Sequence, residues 1–246
     1  MIRKPIIGIT LDWEDTPTYS SMHPWYALRC NYASVISKFN GVAITLPYDL
    51  NAIDNYIAMI DGLMITGGDY DLDPSVYGET AQTQTREIKN NRTDFEMALI
   101  KAALAKNMPI LAICAGEQLL AAINGGKLLQ DIATFYPNAL EHEQKHLNIH
   151  MSKTSHSIKI TPKSLLHKIV QTETMEVNSS HHQAVKSVGP KMIISGVAPD
   201  QVVEAIEMLN YPFALGVEWH PEYLATNEDE RIINAFIEAA SNYNGK

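Results

Sequence analysis

Four short apolar runs, each followed by a stretch with helical spacing, do most to limit what this chain can fold into. The runs are KPIIGIT (4–10), GVAITLP (41–47), GLMITGG (62–68) and PILAIC (109–114). Each has the length and apolar character of a buried strand. Helical periodicity follows in WYALRCNYASVISKF (25–39), NAIDNYIAMI (51–60), TDFEMALIKAALAKN (93–107) and GEQLLAAINGG (116–126), the last ended by glycine. Strands separated by helices pair in parallel through crossovers, which predicts an α/β, doubly wound, mostly parallel sheet. The second half reads differently. IHMSKTSHSIKITP (149–162), MEVNSS (175–180), MIISGVAP (192–199) and VVEAIEML (202–209) alternate, as antiparallel additions do, and lead to FALGVEWH (213–220). DERIINAFIEAASNY (229–243) closes as a helix. With no internal repeat, low-complexity tract or Pro/Gly/Ser-rich linker, residues 1–246 read as a single domain.

Composition narrows the function classes. Of the 246 residues, 46% are hydrophobic and 19% charged, a globular balance. The net charge of −9 argues against nucleic acid or an anionic membrane as partner. No stretch approaches the roughly 18 apolar residues of a membrane span. The opening MIRKPIIGITLDWED has a basic start, but its apolar run is too short for a signal peptide. Two cysteines, Cys30 and Cys114, suit reduced thiols and a cytoplasmic setting better than a disulfide framework.

Cys114 ends the fourth strand, just before a helix. In an open parallel sheet, ligands sit beyond the carboxyl ends of the strands. A thiol on a tight strand-to-helix turn is held toward substrate, beside backbone N–H groups able to stabilise an oxyanion. The helix N-terminus would lower its pKa. Ala112, Ala115 and Gly116 supply the small neighbours a crowded turn needs. Taken alone, the stretch fits a cysteine packed as a small hydrophobe at least as well. A thiol nucleophile needs a base, and the base an orienting group. GVEWHPE (216–222) offers both: His220 follows an apolar strand, and Glu222 lies two residues on, across Pro221. Such a pair sets the imidazole tautomer and stabilises the imidazolium.

CAGEQ (114–118) resembles the C-x-G-x-Q elbow of class I glutamine amidotransferases, and WHPE (219–222) their His-x-Glu pair. More closely, the chain resembles the γ-glutamyl hydrolase branch, peptidase family C26, which includes γ-glutamyl-γ-aminobutyrate hydrolases. GLMITGGDYDLDPSVYGE, NRTDFEMALIKAAL, INGGKLLQDI, VNSSHHQAV and APDQVVEAIE are similar to that branch's segments, in order, from about Pro5 to Glu222. The resemblance implies a flavodoxin-like fold and a cysteine-dependent hydrolase of γ-glutamyl amides, working through a γ-glutamyl thioester. Cys114 would be the nucleophile, His220 the base and then acid, and Glu222 the orienting carboxylate. The N–H of Ala115 and one from Gly67 or Gly68 would form the oxyanion hole. Gln118 would sit by the γ-glutamyl group, with His181, His182 and Gln183 lining the pocket. No cofactor or metal enters this chemistry; the partner is a small γ-glutamyl substrate, and homodimers are common among such enzymes. Two alternatives remain: a glutaminase subunit delivering ammonia to a separate synthetase, and an inactive binding protein that keeps the pocket.

The chain departs from the family pattern at four positions. Ala112 stands for a glycine, poorly if that position needs positive φ. Ala115 stands for an arginine, which removes a carboxylate or phosphate contact. Gln201 replaces a common glycine in an expected surface turn. Glu218 replaces a common glutamine, and strand alternation predicts that it faces outward.

Other features take the plainer reading. His142, His146 and His150 recur every four residues, but Pro137 and the mixed pattern predict a loop without a closed ligand set. Asp69, Asp71 and Asp73 read as a solvated loop at the pocket rim. Trp13, Tyr19, Trp25, Tyr26 and Tyr32 read as core and loop packing, and Cys30 as a buried bystander.

Overall fold

The computed structural model describes residues 3–14, 23–82 and 85–245; Tyr19 lies outside them. Among the described residues, nine strands form one sheet. They are β1 (Ile6–Thr10), β2 (Val42–Leu46), β3 (Gly62–Ile65), β4 (Ile110–Ile113), β5 (His156–Ile160), β6 (Thr174–Val177), β7 (Met192–Val197), β8 (Val203–Met208) and β9 (Ala214–Val217). Their order across the sheet is β2-β1-β3-β4-β9-β8-β7-β5-β6. Neighbours from β2 to β9 run parallel, and those from β9 to β6 antiparallel. The fold is thus the α/β, mostly parallel arrangement with antiparallel additions that the alternation predicts.

The central strands read as unbroken apolar runs because both faces of the sheet are covered. Alternation sends Leu63, Ile65, Ile110 and Ala112 to one face, against Phe95 and Leu99 of the helix Asn90–Ala105 and Leu119 of the helix Ala115–Ile123. Met64, Leu111, Ile113 and Val217 go to the other, against Ile233 and Phe236 of the helix Asn227–Ser241. That last helix begins at a capping box, Thr226 and Asp229 each bonding the other's backbone N–H. Among the described residues, no helix is long and apolar enough to cross a membrane.

Two local expectations change. The helix expected from Trp25 begins only at Cys30, because Trp25–Ala27 is a short strand paired with Asp12–Glu14. The Lys89 ammonium ties down that ribbon by bonding Asp12, Glu14 and the carbonyl of Trp13. Cys30 is exposed, since the helix it opens buries Tyr32, Val35 and Ile36 instead.

Candidate active site

Register places the site. Ile65 pairs with Ala112, and Ala112 and Ile113 with Gly216 and Val217. The residues just beyond these three parallel ends, Gly67, Cys114 and Glu218–His220, therefore stand side by side. Cys114 has φ +52° and ψ −114°, a backbone conformation that L-residues seldom adopt. Such strain costs on the order of 1–3 kcal/mol and persists only where its surroundings impose it. Here the Cys114 N–H donates to the Val217 carbonyl at 2.8 Å, and the Cys114 carbonyl accepts from the Gln118 N–H at 3.1 Å. Gly116 lets the helix start close to β3: a Cβ there would lie 2.7 Å from the Ile65 carbonyl oxygen. Ala112 is not among the positive-φ residues, so its methyl is no obstacle. Gln201 does adopt φ +72°, in an exposed turn.

The imidazole of His220 binds Glu222, Nδ1 to Oε1 at 2.8 Å, with both side chains buried. Asn178 fixes the His220 backbone at both ends, accepting from its N–H at 2.8 Å and donating to its carbonyl at 2.9 Å. A Cβ on Gly67 would stand 2.8 Å from His220 Cε1 and 3.3 Å from Cys114 Cβ, so thiol and imidazole flank the same bare backbone. The Gly67 N–H donates to the Tyr32 hydroxyl at 3.1 Å. Gly68, by contrast, lines the pocket with Cys114 and Ala115. The buried Arg92 guanidinium holds this strand end from behind, donating to the carbonyls of Thr66 and Gly67 and to Glu96. Tyr32, Arg92 and Asn178 were not legible as site residues, because their roles depend on contacts across the fold. The Asn in VNSSHHQ was the nearest sequence signal.

The thiol is not electrostatically primed as a helix N-terminus would suggest. Burial pushes its pKa well up, and the nearby Glu218 and Glu222 add to this, against the Ala115 N–H, which lowers it. Burial and these carboxylates favour the neutral thiol over the thiolate.

Glu218 does not face outward. It is wholly buried and accepts from Gln118 Nε2 at 2.7 Å. Its place at the end of β9 turns it to the elbow helix. Glu117, from the same elbow, is also fully buried. Burial first, then Glu218, holds its carboxyl well above the usual range, which favours its protonated form. A carboxyl in a helix otherwise buried almost throughout was the available sequence signal.

The His-His-Gln segment reaches the pocket because the ribbon of Lys127–Leu129 and Ala184–Ser187 anchors it. His182 Nε2 contacts Asp71 at 2.6 Å, so Asp71 is buried rather than solvated; its neighbours Asp69 and Asp73 keep the expected loop character. Gln183 donates to the Gln130 carbonyl at 3.1 Å. His181 Nδ1 lies 2.9 Å from the Gln183 carbonyl. Burial lowers the His181 pKa, but Glu204 and Glu218 outweigh it and push it up to about 9. Cys114, Ala115, Gln118, His181, His182 and Gln183 thus line one pocket, with Arg86 at its mouth. Arg86 makes a bidentate pair with Glu143 at 3.1 and 2.8 Å. His142 is buried, whereas His146 and His150 are not, so the four-residue spacing gathers no common site.

A strand-to-helix turn with a cysteine at its apex, beside a His-Glu pair at the carboxyl ends of a parallel sheet, is the arrangement of the glutamine amidotransferase-like class. Residues 5–222 match peptidase C26, and the chain belongs to that family. It is 37% identical to a protein of Rickettsia prowazekii provisionally described as glutamine amidotransferase-like, over 98% of this chain and 99% of that one. It is 31% identical to the γ-glutamyl-γ-aminobutyrate hydrolase PuuD of Escherichia coli, over 91% of this chain and 87% of the other. In fold it is similar to a Thermoplasma acidophilum protein provisionally described as part of a GMP synthase. That match has a TM-score of 0.64 and 14% identity, over 98% of this chain and 96% of the other.

Proposed function

We propose that the protein hydrolyses γ-glutamyl amides through a γ-glutamyl thioester on Cys114. The observation that carries this reading is the positive-φ cysteine at φ +52°, set beside a buried His-Glu pair at 2.8 Å. With Nδ1–H committed to Glu222, the other ring nitrogen of His220 is the base. Because the neutral Cys114 thiol is favoured, its proton passes to His220 as sulfur attacks the γ-carbonyl carbon. The resulting oxyanion accepts from the N–H groups of Ala115 and Gly68, since the N–H of Gly67 is already donated to Tyr32. Collapse expels the amine, which takes the proton from His220. Water, deprotonated by His220, then attacks the thioester, releasing glutamate and the Cys114 thiol. At the pocket mouth, Arg86 and Asp69 offer opposite charges to the α-carboxylate and α-amino groups of a glutamyl unit.

The test is hydrolysis by the purified chain alone. A panel of γ-glutamyl-GABA, γ-glutamyl-putrescine, small γ-glutamyl peptides, polyglutamate and glutamine is offered, and released glutamate is followed. Turnover of one amide above glutamine supports the hydrolase and names its leaving amine. Silence across the panel, with Cys114 still alkylated, favours a glutaminase that needs a synthetase partner.

A further inference from the structure

Beside the pocket wall, three histidines from separate segments meet one carboxylate that the proposed chemistry does not use. Glu204 on β8 is fully buried, and His142, His156 and His181 are nearly so. One oxygen, Oε1, lies 3.2 Å from His142 Nδ1, 3.0 Å from His156 Nε2 and 3.4 Å from His181 Nε2. The far sides of two rings are already committed. His142 Nε2 faces Asp200 at 2.9 Å, and His181 Nδ1 faces the Gln183 carbonyl at 2.9 Å. A carboxylate and a carbonyl only accept, so those two nitrogens carry the hydrogens. Glu204 and Glu218 favour a further proton on His181; once that proton is displaced, each ring turns a lone pair inward. Fixing the outer N–H of an imidazole on a carboxylate or carbonyl is how proteins orient histidine ligands to metal.

Without that proton the interior collects two imidazole lone pairs and a carboxylate oxygen, three acceptors that a cation would bridge. The donor atoms of His142, His181 and Glu204 all lie within 4.8 Å of one another. An ion holding donors at roughly 2.0–2.1 Å in a tetrahedron spaces them about 3.3–3.4 Å apart, close to the two distances here. His181 Nε2 and Glu204 Oε2 are buried without a hydrogen-bond partner, so the 3.4 Å contact is not itself a hydrogen bond. A cavity of about 300 Å³ lined by His142 and His181 gives a route in.

We propose that His142, His181 and Glu204 bind a divalent transition ion of the zinc class. His156 either completes the tetrahedron or donates to the Glu204 carboxylate from outside it. A nitrogen-rich donor set selects zinc-like ions over calcium or magnesium, which prefer oxygen. The ion displaces any proton the cluster holds, so uptake releases acid. Because His181 also lines the substrate pocket, the ion fixes that wall without touching the thiol.

The experiment measures metal, not turnover. The untagged protein is produced in zinc-supplemented medium, dialysed, and assayed by inductively coupled plasma mass spectrometry, and the apo form is titrated with Co²⁺. The proposal expects roughly one ion per chain and the visible absorption of a tetrahedral cobalt site. His142→Ala and Glu204→Gln should each lower the content at least about tenfold, the usual scale for losing a ligand or its support. His146→Ala, on the exposed loop, should leave it unchanged. The apo wild type keeps the test open if a variant fails to fold. Less than about a tenth of an ion per chain with no cobalt spectrum would overturn the site and leave a protonated histidine–carboxylate network. Retention of metal by folded His142→Ala, or its loss in His146→Ala, would overturn it equally.

Discussion

Glu218 and Glu222 stand two residues either side of His220, yet they belong to different regions. Glu222 follows the Pro221 turn and meets the imidazole at 2.8 Å. Glu218 ends a strand and points into the elbow helix, where it binds Gln118 at 2.7 Å and neighbours Glu117. The Glu222 side is a histidine–carboxylate pair built from adjacent chain. The Glu218 side is a buried acidic and histidine-rich wall built from β8, β9, the elbow helix and the His-His-Gln segment. Among the described residues, ten buried side-chain nitrogen and oxygen atoms lack a hydrogen-bond partner, and six belong to Glu117, His156, His181, Glu204 and Glu218. Buried polar atoms are normally paired, so this wall concentrates unsatisfied polar groups. A carboxylate's role is set by what its strand end faces, not by its distance in sequence from the histidine.

Substitutions can break that contrast. Cys114→Ala should remove turnover by a factor on the order of 10⁴ or more while leaving the circular dichroism spectrum unchanged. Retained hydrolysis would remove the thiol from the mechanism on either side. Glu222→Gln should cost about 10²–10⁴ in kcat, because the imidazole loses its orienting charge. Glu218→Gln should cost less than about tenfold, since a glutamine oxygen still accepts from Gln118. Steady-state kinetics that gave both variants the same loss would erase the distinction.

Two pH measurements sharpen it with smaller effects. The rate of Cys114 alkylation by iodoacetamide should climb from about pH 7 to 9 without levelling, because burial and carboxylates favour the neutral thiol. A plateau near neutrality would reveal a preformed thiolate–imidazolium pair instead. For Glu117, the folded pKa is raised above an unfolded value of roughly 4.3. The fold binds that proton more tightly, so the site's stabilisation is complete below about pH 4.3 and is lost as pH rises toward the folded value. Urea unfolding at about pH 5 and 8 should therefore show a shallower decline in Glu117→Gln than in the parent. Parallel declines would assign the slope to other groups.

The alternation of apolar runs and helical spacing located the strands and helices of the main sheet, though not the Asp12–Glu14/Trp25–Ala27 ribbon. PILAIC, GLMITGG and FALGVEWH became β4, β3 and β9 with their small or polar residues at the carboxyl ends. The pairing of His220 with Glu222 was likewise local, because only Pro221 separates them. What local pattern could not give was the direction of side chains at strand ends and the company they keep. Strand alternation pointed Glu218 to solvent, but the sheet is covered on both faces, and outward there means into the elbow helix. The helix dipole pointed to an acidic thiol, but desolvation and two carboxylates outweigh it. The cluster around Glu204 joins residues 142, 156, 181 and 204, which share no spacing and meet only because β5, β8 and the loops carrying His142 and His181 converge. Sequence determined the elements and the neighbours within a few residues, since these follow from hydrophobic periodicity and short-range sterics. Tertiary structure decided the electrostatics, since burial and the approach of distant charges exist only once the sheet is assembled.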